Sequence, residues 1–139
     1  MEIIANALQT VQANQNVYFT DTVANGNASI THRDDSGLVT LNGVTSQCRA
    51  RFLVSFGSNV AIPTGGAVAP ISLAIAINGE AIPATTMIVT PAAVGNFFNV
   101  SASVFVDVPR GCCTTISVKN ISTDTIEVQN ANLIVTREA

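Results

Sequence analysis

The chain has 139 residues, 47% of them apolar and only 11% Asp, Glu, Lys or Arg, with a net charge of −3. Its six scattered Lys and Arg residues cannot make the basic stripe that phosphate binding needs, which excludes a nucleic-acid partner. Charge this sparse, against about a quarter of residues in ordinary soluble domains, predicts that part of each copy's surface is buried against other copies.

Residues 1–139 contain no Pro-, Ser- or charge-rich linker, so one domain with a single core is expected. The opening "MEIIANALQT" shows no basic leader or cleavage site, and no targeting segment is expected. The apolar stretch "AVAPISLAIAI" is too short to span a bilayer and contains a proline. Runs of alternating Val, Ile, Phe and Thr predict strands over residues 5–11, 17–22, 29–31, 38–41, 48–56, 71–77, 86–89, 96–107, 114–120 and 125–136. Asn25-Gly26, Ser36-Gly37, Asn42-Gly43, Asn78-Gly79 and Arg110-Gly111 supply the turn chemistry between them. No segment has a sustained helical period. About ten short strands without a helix predict an all-β antiparallel sandwich or jelly roll.

Three strands carry a second face that mixes apolar and charged groups. In "QCRARFLVSFG", Ala50, Phe52, Val54 and Phe56 share the core face, opposite Arg49, Arg51, Leu53 and Ser55. In "NFFNVSASVFVDV", Phe98, Val100, Ala102, Val104 and Val106 oppose Phe97, Asn99, Ser101, Ser103, Phe105 and Asp107. Strict alternation in the last strand sets Ile126, Val128, Asn130, Asn132 and Ile134 against Glu127, Gln129, Ala131, Leu133, Val135 and Arg137. A sheet facing water would be more uniformly polar. The expected subunit interface therefore contains Arg49, Arg51, Leu53, Phe97, Phe105, Asp107, Leu133 and Val135. Either the two arginines are simply exposed, or they pair with Asp107, Glu127 or Glu138 across that interface.

"THRDDSG" places His32, Asp34 and Asp35 together, as a base with an orienting carboxylate or as oxygen ligands for calcium would require. The plain alternative is a solvated polar turn. One histidine and no nucleophile elbow do not make an enzyme, and no catalytic residue or resident cofactor is expected. The Gly-rich loop "GSNVAIPTGGAVAP", with Thr64, Gly65 and Gly66, is expected to join His32, Asp34 and residues 91–95 at a ligand-contacting end. Three Asn-x-Ser matches at Asn27, Asn99 and Asn120 are read as chance in a chain rich in these residues. The cysteines are Cys48 and the adjacent Cys112 and Cys113. Neighbouring side chains on an extended chain point to opposite faces, a poor arrangement for chelating zinc. A redox pair would want a helix N-terminus, and none is offered.

"ISLAIAINGEAIPATTM" resembles the hairpin of the tumour-necrosis-factor-like and complement globular-head superfamily. More closely it resembles the C-terminal domains of bacterial collagen-like spore-surface glycoproteins. "NALQTVQANQNVYFTDT", "GLVTLNGVTSQCRARFLVSFG" and "NVSASVFVDVPRGCCTTISVKNISTDTIEVQNANLIVTRE" look like the family's first, third and last strands, in order. Strand rhythm carries the likeness, since no single motif is specific. It departs at Gly111-Cys112-Cys113-Thr114, where relatives usually read Gly-Asp-Thr, and at Cys48-Arg49, which replaces an aromatic.

The resemblance implies a compact homotrimer and a non-enzymatic structural or recognition module of a surface layer, fibre tip or appendage. It implies a setting that is extracellular, spore-surface or virion-associated, with glycan or a partner protein as ligand. Phage or virion decoration is the alternative, and whether a collagen-like stalk precedes Met1 stays open. Some members hold calcium at the trimer apex, so Asp34 and Asp35 are the metal candidates. Antiparallel pairing of the strand at Cys48 with residues 96–107 would bring Cys48 close to the 109–113 turn, implying a disulfide from Cys48 to Cys112 or Cys113.

Overall fold

In the computed structural model, which describes residues 1–25 and 29–138, two antiparallel six-stranded sheets face each other. In chain order the strands are β1 (Glu2–Ala5), β2 (Gln9–Val11), β3 (Asp21–Ala24), β4 (Ile30–His32), β5 (Val39–Asn42) and β6 (Arg49–Ala61). They continue as β7 (Ile71–Ile77), β8 (Glu80–Ala81), β9 (Met87–Val89), β10 (Phe98–Pro109), β11 (Cys113–Asn120) and β12 (Ile126–Arg137). The first sheet runs β10-β6-β12-β1-β3, with β2 also on β12; the second runs β4-β5-β11-β7-β8, with β9 also on β7. This is the expected jelly-roll sandwich. Among the described residues the only helical element is a 3-10 turn at Pro83–Thr85, and no helix is long and apolar enough to cross a membrane.

Alternation builds the long strands. On β6, Ala50, Phe52, Val54, Phe56 and Val60 point inward, and on β10 Val100, Val106 and Val108 do the same. They join Phe19, Leu41, Leu73, Ile75, Ile116 and Leu133 in one continuous core. Burying each such side chain contributes about 1.5–3 kcal/mol.

The ends of several elements differ from the sequence expectation. β6 continues to Ala61, so the first five residues of the predicted 57–70 loop belong to the sheet. The expected strand at 5–11 breaks into β1 and β2, and the one at 17–22 is displaced to β3. Val17 and Phe19 are buried in an irregular segment that hydrogen-bonds to Val118 and Ser36.

The face assignment of β12 holds only for its first half. Asn130 adopts φ 56°, and the pairing with β6 slips between Gln129 and Asn132. One extra residue in a strand reverses every side chain beyond it. Leu133 and Val135 therefore lie inside the protomer's own core, at 0% and 1% exposure, and are not interface residues. Ile134, at 39% exposure, faces outward in their place.

Asn78-Gly79 makes the two-residue β7–β8 hairpin, both residues having positive φ. Gly111, at φ 78°, closes the β10–β11 turn. Gly43 does something else: a Cβ there would lie 2.2 Å from the Pro109 carbonyl oxygen, so the chain after β5 passes flush against that turn. Gly26 of the Asn25-Gly26 turn, and Asn27 and Ala28 of the first Asn-x-Ser match, lie outside the described residues. Asn120 of the third match is fully buried. Its amide donates to the carbonyls of Val11 and Asp124, at 3.1 and 3.0 Å, while its Oδ1 accepts from Ser122.

Candidate functional site

β6 and β10 run antiparallel with Arg49 opposite Pro109 and Val60 opposite Phe98. Two poles follow. Residues 62–70, 91–97 and 121–125 share one pole, where Gly95 N–H donates to the Ile62 carbonyl at 3.1 Å. Thr64, Gly65 and Gly66 form its exposed tip, closed by a Gly66-to-Pro63 bond and by Gly65 at φ 90°. A cleft of about 230 Å³ separates Ile62, Pro63, Ala67 and Pro70 from Ser122, Asp124 and Thr125.

The His32–Gly37 stretch does not join that pole. It follows β4, the edge strand of the second sheet, and lies against residues 16–19. Asp35, at φ 67°, donates its N–H to the Phe19 carbonyl, and Phe19 N–H returns a bond to Ser36. His32 Nε2 donates to the Ser36 carbonyl at 2.9 Å, and its ring meets Phe19 edge-on at 6.4 Å. A carbonyl only accepts, so Nε2 carries a proton in this contact. Asp34 Oδ1 accepts from Thr22 Oγ1 at 3.3 Å. Among the described residues, no three His, Cys, Asp or Glu side chains are arranged to hold a metal ion.

A groove of about 540 Å³ runs between these two segments, lined by Gln15, Asn16, Tyr18, Arg33, Asp34, Asp35, Ser36 and Leu38. Its floor is tight because Gly37 meets Val17 and Asn16 where a Cβ would lie 2.8 and 2.9 Å from them. Tyr18, 50% exposed, and Leu38, 45% exposed, are its apolar walls. The Gln9 side chain holds the Tyr18 backbone on both sides, donating to its carbonyl and accepting its N–H, each at 2.9 Å. Both ion pairs found among the described residues end on Asp107 and neither involves Arg33. Tyr18 and Gln9 escaped the sequence reading because their pairing bridges an irregular segment without alternation.

The outer face of the first sheet is the second notable surface. Its polar groups spend their hydrogen bonds on one another. Arg51 forks onto Asp107, Nε to Oδ1 at 2.8 Å and Nη2 to Oδ2 at 3.2 Å, with Arg49 3.5 Å away. Ser55 pairs with Ser103, Asn59 with Asn99 and Asn130, and Asn132 with Glu2. The expected arginine–carboxylate pairing thus forms inside one protomer, because antiparallel register sets Asp107 directly opposite Arg51. Between these pairs stand Phe105, 61% exposed, with Leu53 directly across from it and Ile134 nearby. Arg51 also lies 5.8 Å over the Phe105 ring. Phe97 is exposed as well, beyond the β10 end of this sheet.

The Arg51 hydrogen bonds, with the nearby Arg49 charge, hold the Asp107 carboxyl below its ordinary value. A depressed carboxylate contributes stability above the unfolded-state value, about pH 4, and that contribution disappears as pH falls through the lower folded-state value. An NMR titration is expected to show the Asp107 side-chain midpoint below that of free aspartate. It should return toward the ordinary value in Arg51→Ala.

The three thiols lie at the opposite pole from residues 62–70. Cys48 directly precedes β6, and its carbonyl accepts from Arg110 N–H at 3.0 Å. The Cys112 carbonyl accepts from Gly43 N–H at 2.9 Å. The expected neighbourhood is present, but the bridge is not: Cys48, Cys112 and Cys113 are free and exposed. The Cys113 thiol donates to Asn42 Oδ1 at 3.2 Å, so the strand paired with β11 engages it, not the strand that Cys48 opens.

No protein-family model matches the chain, and no curated protein does. Among solved structures, the globular domain of zebrafish complement 1qA protein is similar over 96% of this chain and 93% of its own, with a TM-score of 0.64 and 12% identity. Murine APRIL is similar over 95% of this chain and 96% of its own, with a TM-score of 0.55 and 11% identity. At such identity the likeness is one of fold. The chain adopts an antiparallel jelly-roll sandwich similar to the folds of these two domains, the fold that its strand rhythm led us to expect.

Proposed function

We propose that this chain is a non-enzymatic homotrimeric recognition module that works on the exterior of a cell, spore or virion and binds glycan in the Tyr18 groove. The observation that carries the assembly is the outer face of the first sheet. There the polar groups are already paired within the protomer while Phe105 and Ile134 remain exposed and Leu53 half-buried. Burying such a face strips water from groups that keep their partners, so desolvation costs little and the apolar contact is gained. A second copy of the chain is the occupant best matched to a wall whose charges are self-neutralised.

The groove supports the ligand class. A sugar ring presents an apolar C–H face edged with hydroxyls, and Tyr18 and Leu38 offer apolar walls rimmed by amide, carboxylate and guanidinium groups. Spore-surface layer, fibre tip and virion decoration are all settings that reward rigid, symmetric presentation of such a groove.

Sedimentation equilibrium of the reduced protein is expected to give three times the chain mass. A panel of immobilised mono- and oligosaccharides should yield binders whose affinity drops at least about tenfold in Tyr18→Ala, the loss typical of an anchoring aromatic. Unchanged binding in Tyr18→Ala would remove the groove from the proposal. Binding lost instead on Thr64→Ala would move the ligand to the 62–70 loop.

A further inference from the structure

The Tyr18 groove is the middle one of three connected hollows. On one side it opens into a hollow of about 230 Å³ completed by Thr10, Val11 and Gln12, and the two share Gln15, Asn16 and Tyr18 as lining. On the other side it opens into a hollow of about 310 Å³ beside Thr31, His32 and Thr40, sharing Arg33, Ser36 and Leu38. The two outer hollows have no lining residue in common. Their order along the surface is therefore linear, from the end of β2 past Tyr18 and Leu38 to β4 and β5. The two apolar walls of the groove stand at its two junctions.

Both banks are fixed before any ligand arrives. Gln15 N–H donates to the Gln12 carbonyl at 3.0 Å around Asn14, whose φ is 64°. Asn14 N–H donates to the Asn120 carbonyl at 2.8 Å, and Asn120 N–H donates to the Gln15 carbonyl at 2.9 Å. That turn is thereby pinned to the buried last residue of β11. On the other bank, Ser36 N–H donates to the Arg33 carbonyl at 3.1 Å around Asp35, and Leu38 N–H donates to Ser36 Oγ at 3.1 Å. Surrounding contacts hold Asn14 and Asp35 at positive φ, so the hollows keep their spacing and a ligand orders little of the protein on binding.

Charge narrows the ligand class. The first hollow is lined by amides, a hydroxyl and apolar groups, without a charged side chain. The middle one sets the carboxylates of Asp34 and Asp35 against the single guanidinium of Arg33, in a chain of net charge −3. An acidic saccharide is repelled there. The hydroxyls of a neutral sugar suit it, since each can donate to a carboxylate or accept from a guanidinium or amide.

Resting on the glycan reading of this groove, we propose that the three hollows are successive subsites for a neutral, linear oligosaccharide of at least three units. Tyr18 and Leu38 are the partitions, each touching two neighbouring rings. A single ring in the middle hollow uses one side of each partition, whereas a chain uses both and reaches the amides and hydroxyls of the outer hollows.

Isothermal titration calorimetry with the malto-, cello- and manno-oligosaccharide series, from monosaccharide to hexasaccharide, tests this. In a series that binds, the association constant is expected to climb at least about tenfold from monosaccharide to trisaccharide and then to level off. Gln12→Ala and Thr31→Ala, at the two outer hollows, should each shrink that gain while the melting temperature stays unchanged. A monosaccharide that binds as tightly as its trisaccharide overturns the proposal. So does a gain that survives both substitutions together. If the neutral series fail while heparin-derived oligosaccharides bind and lose affinity in Tyr18→Ala, the neutral chain is wrong and the glycan reading of the groove stands. If neither kind binds, that reading falls and this inference falls with it.

Discussion

Phe105→Asp is expected to convert the trimer into single folded chains. Phe105 is the most exposed apolar side chain on the outer face of the first sheet, 61% open in the protomer, so replacing it removes nothing from the core. Losing its burial costs the interface about 1.5–3 kcal/mol per copy, and threefold symmetry repeats that loss at every contact. The new carboxylate would compete with Asp107 for the Arg51 guanidinium, whose Nε and Nη2 already donate to Asp107. A further charge carried into a dry interface costs more than it regains from a partner already in use. Sedimentation equilibrium should show the mass fall threefold, with the β-sheet circular dichroism unchanged. Ile88→Asp is the control, since Ile88 is 65% exposed on the second sheet. If Ile88→Asp dissociates the protein and Phe105→Asp does not, the interface lies on the other sheet.

Phe19→Ala should be the most damaging single truncation in the region of the groove. Phe19 has no exposed surface, packs edge-on against Phe56 at 6.3 Å and His32 at 6.4 Å, and exchanges backbone bonds with Ser36 and Asp35. Truncating a phenylalanine in such a position costs about 3–5 kcal/mol, a large share of the roughly 5–15 kcal/mol that holds a domain folded. For a chain of this size the melting temperature should fall by roughly 10–20 °C. Tyr18→Ala, the next residue but facing outward, should leave the melting temperature nearly unchanged while affecting glycan binding. A Phe19→Ala protein that melts within a few degrees of the parent would show that the 16–19 segment is not anchored as described.

These two substitutions act on residues that the sequence marked very differently. Phe105 was legible, because β10 alternates without interruption and its polar partners Ser101, Ser103 and Asp107 fall on one side. Phe19 was read as part of a regular strand at 17–22, yet it sits in an irregular segment tied down by an isolated pairing with Ser36. Its burial, and the groove that Tyr18 helps to wall, depend on contacts between residues 16–19 and 33–38 that no local pattern announces. The same holds for Asn120, which looked like a chance Asn-x-Ser match and is a buried amide joining β11 to the last residue of β2 and to the segment before β12.

Alternation at a period of two is a property of each strand by itself, so the β class, the absence of sustained helical pattern, the inner face of β6 and, from Val100 onward, that of β10 were decided by the amino-acid sequence alone, while Phe98 at the start of β10 is exposed and not on the expected inner face. The cysteine corner was anticipated from the family's strand pairing, and its backbone convergence follows from that antiparallel register. The structure alone decided where periodicity breaks and which distant pieces meet. One residue of slippage at Asn130 turned Leu133 and Val135 into core and brought Ile134 to the surface. Backbone closeness at Gly37 and Gly43 shaped the groove floor and the thiol pole. Cross-strand register kept Arg51 and Asp107 within one protomer. Each of these outcomes is a contact between segments far apart along the chain, set by packing and register and invisible to any local pattern of residues.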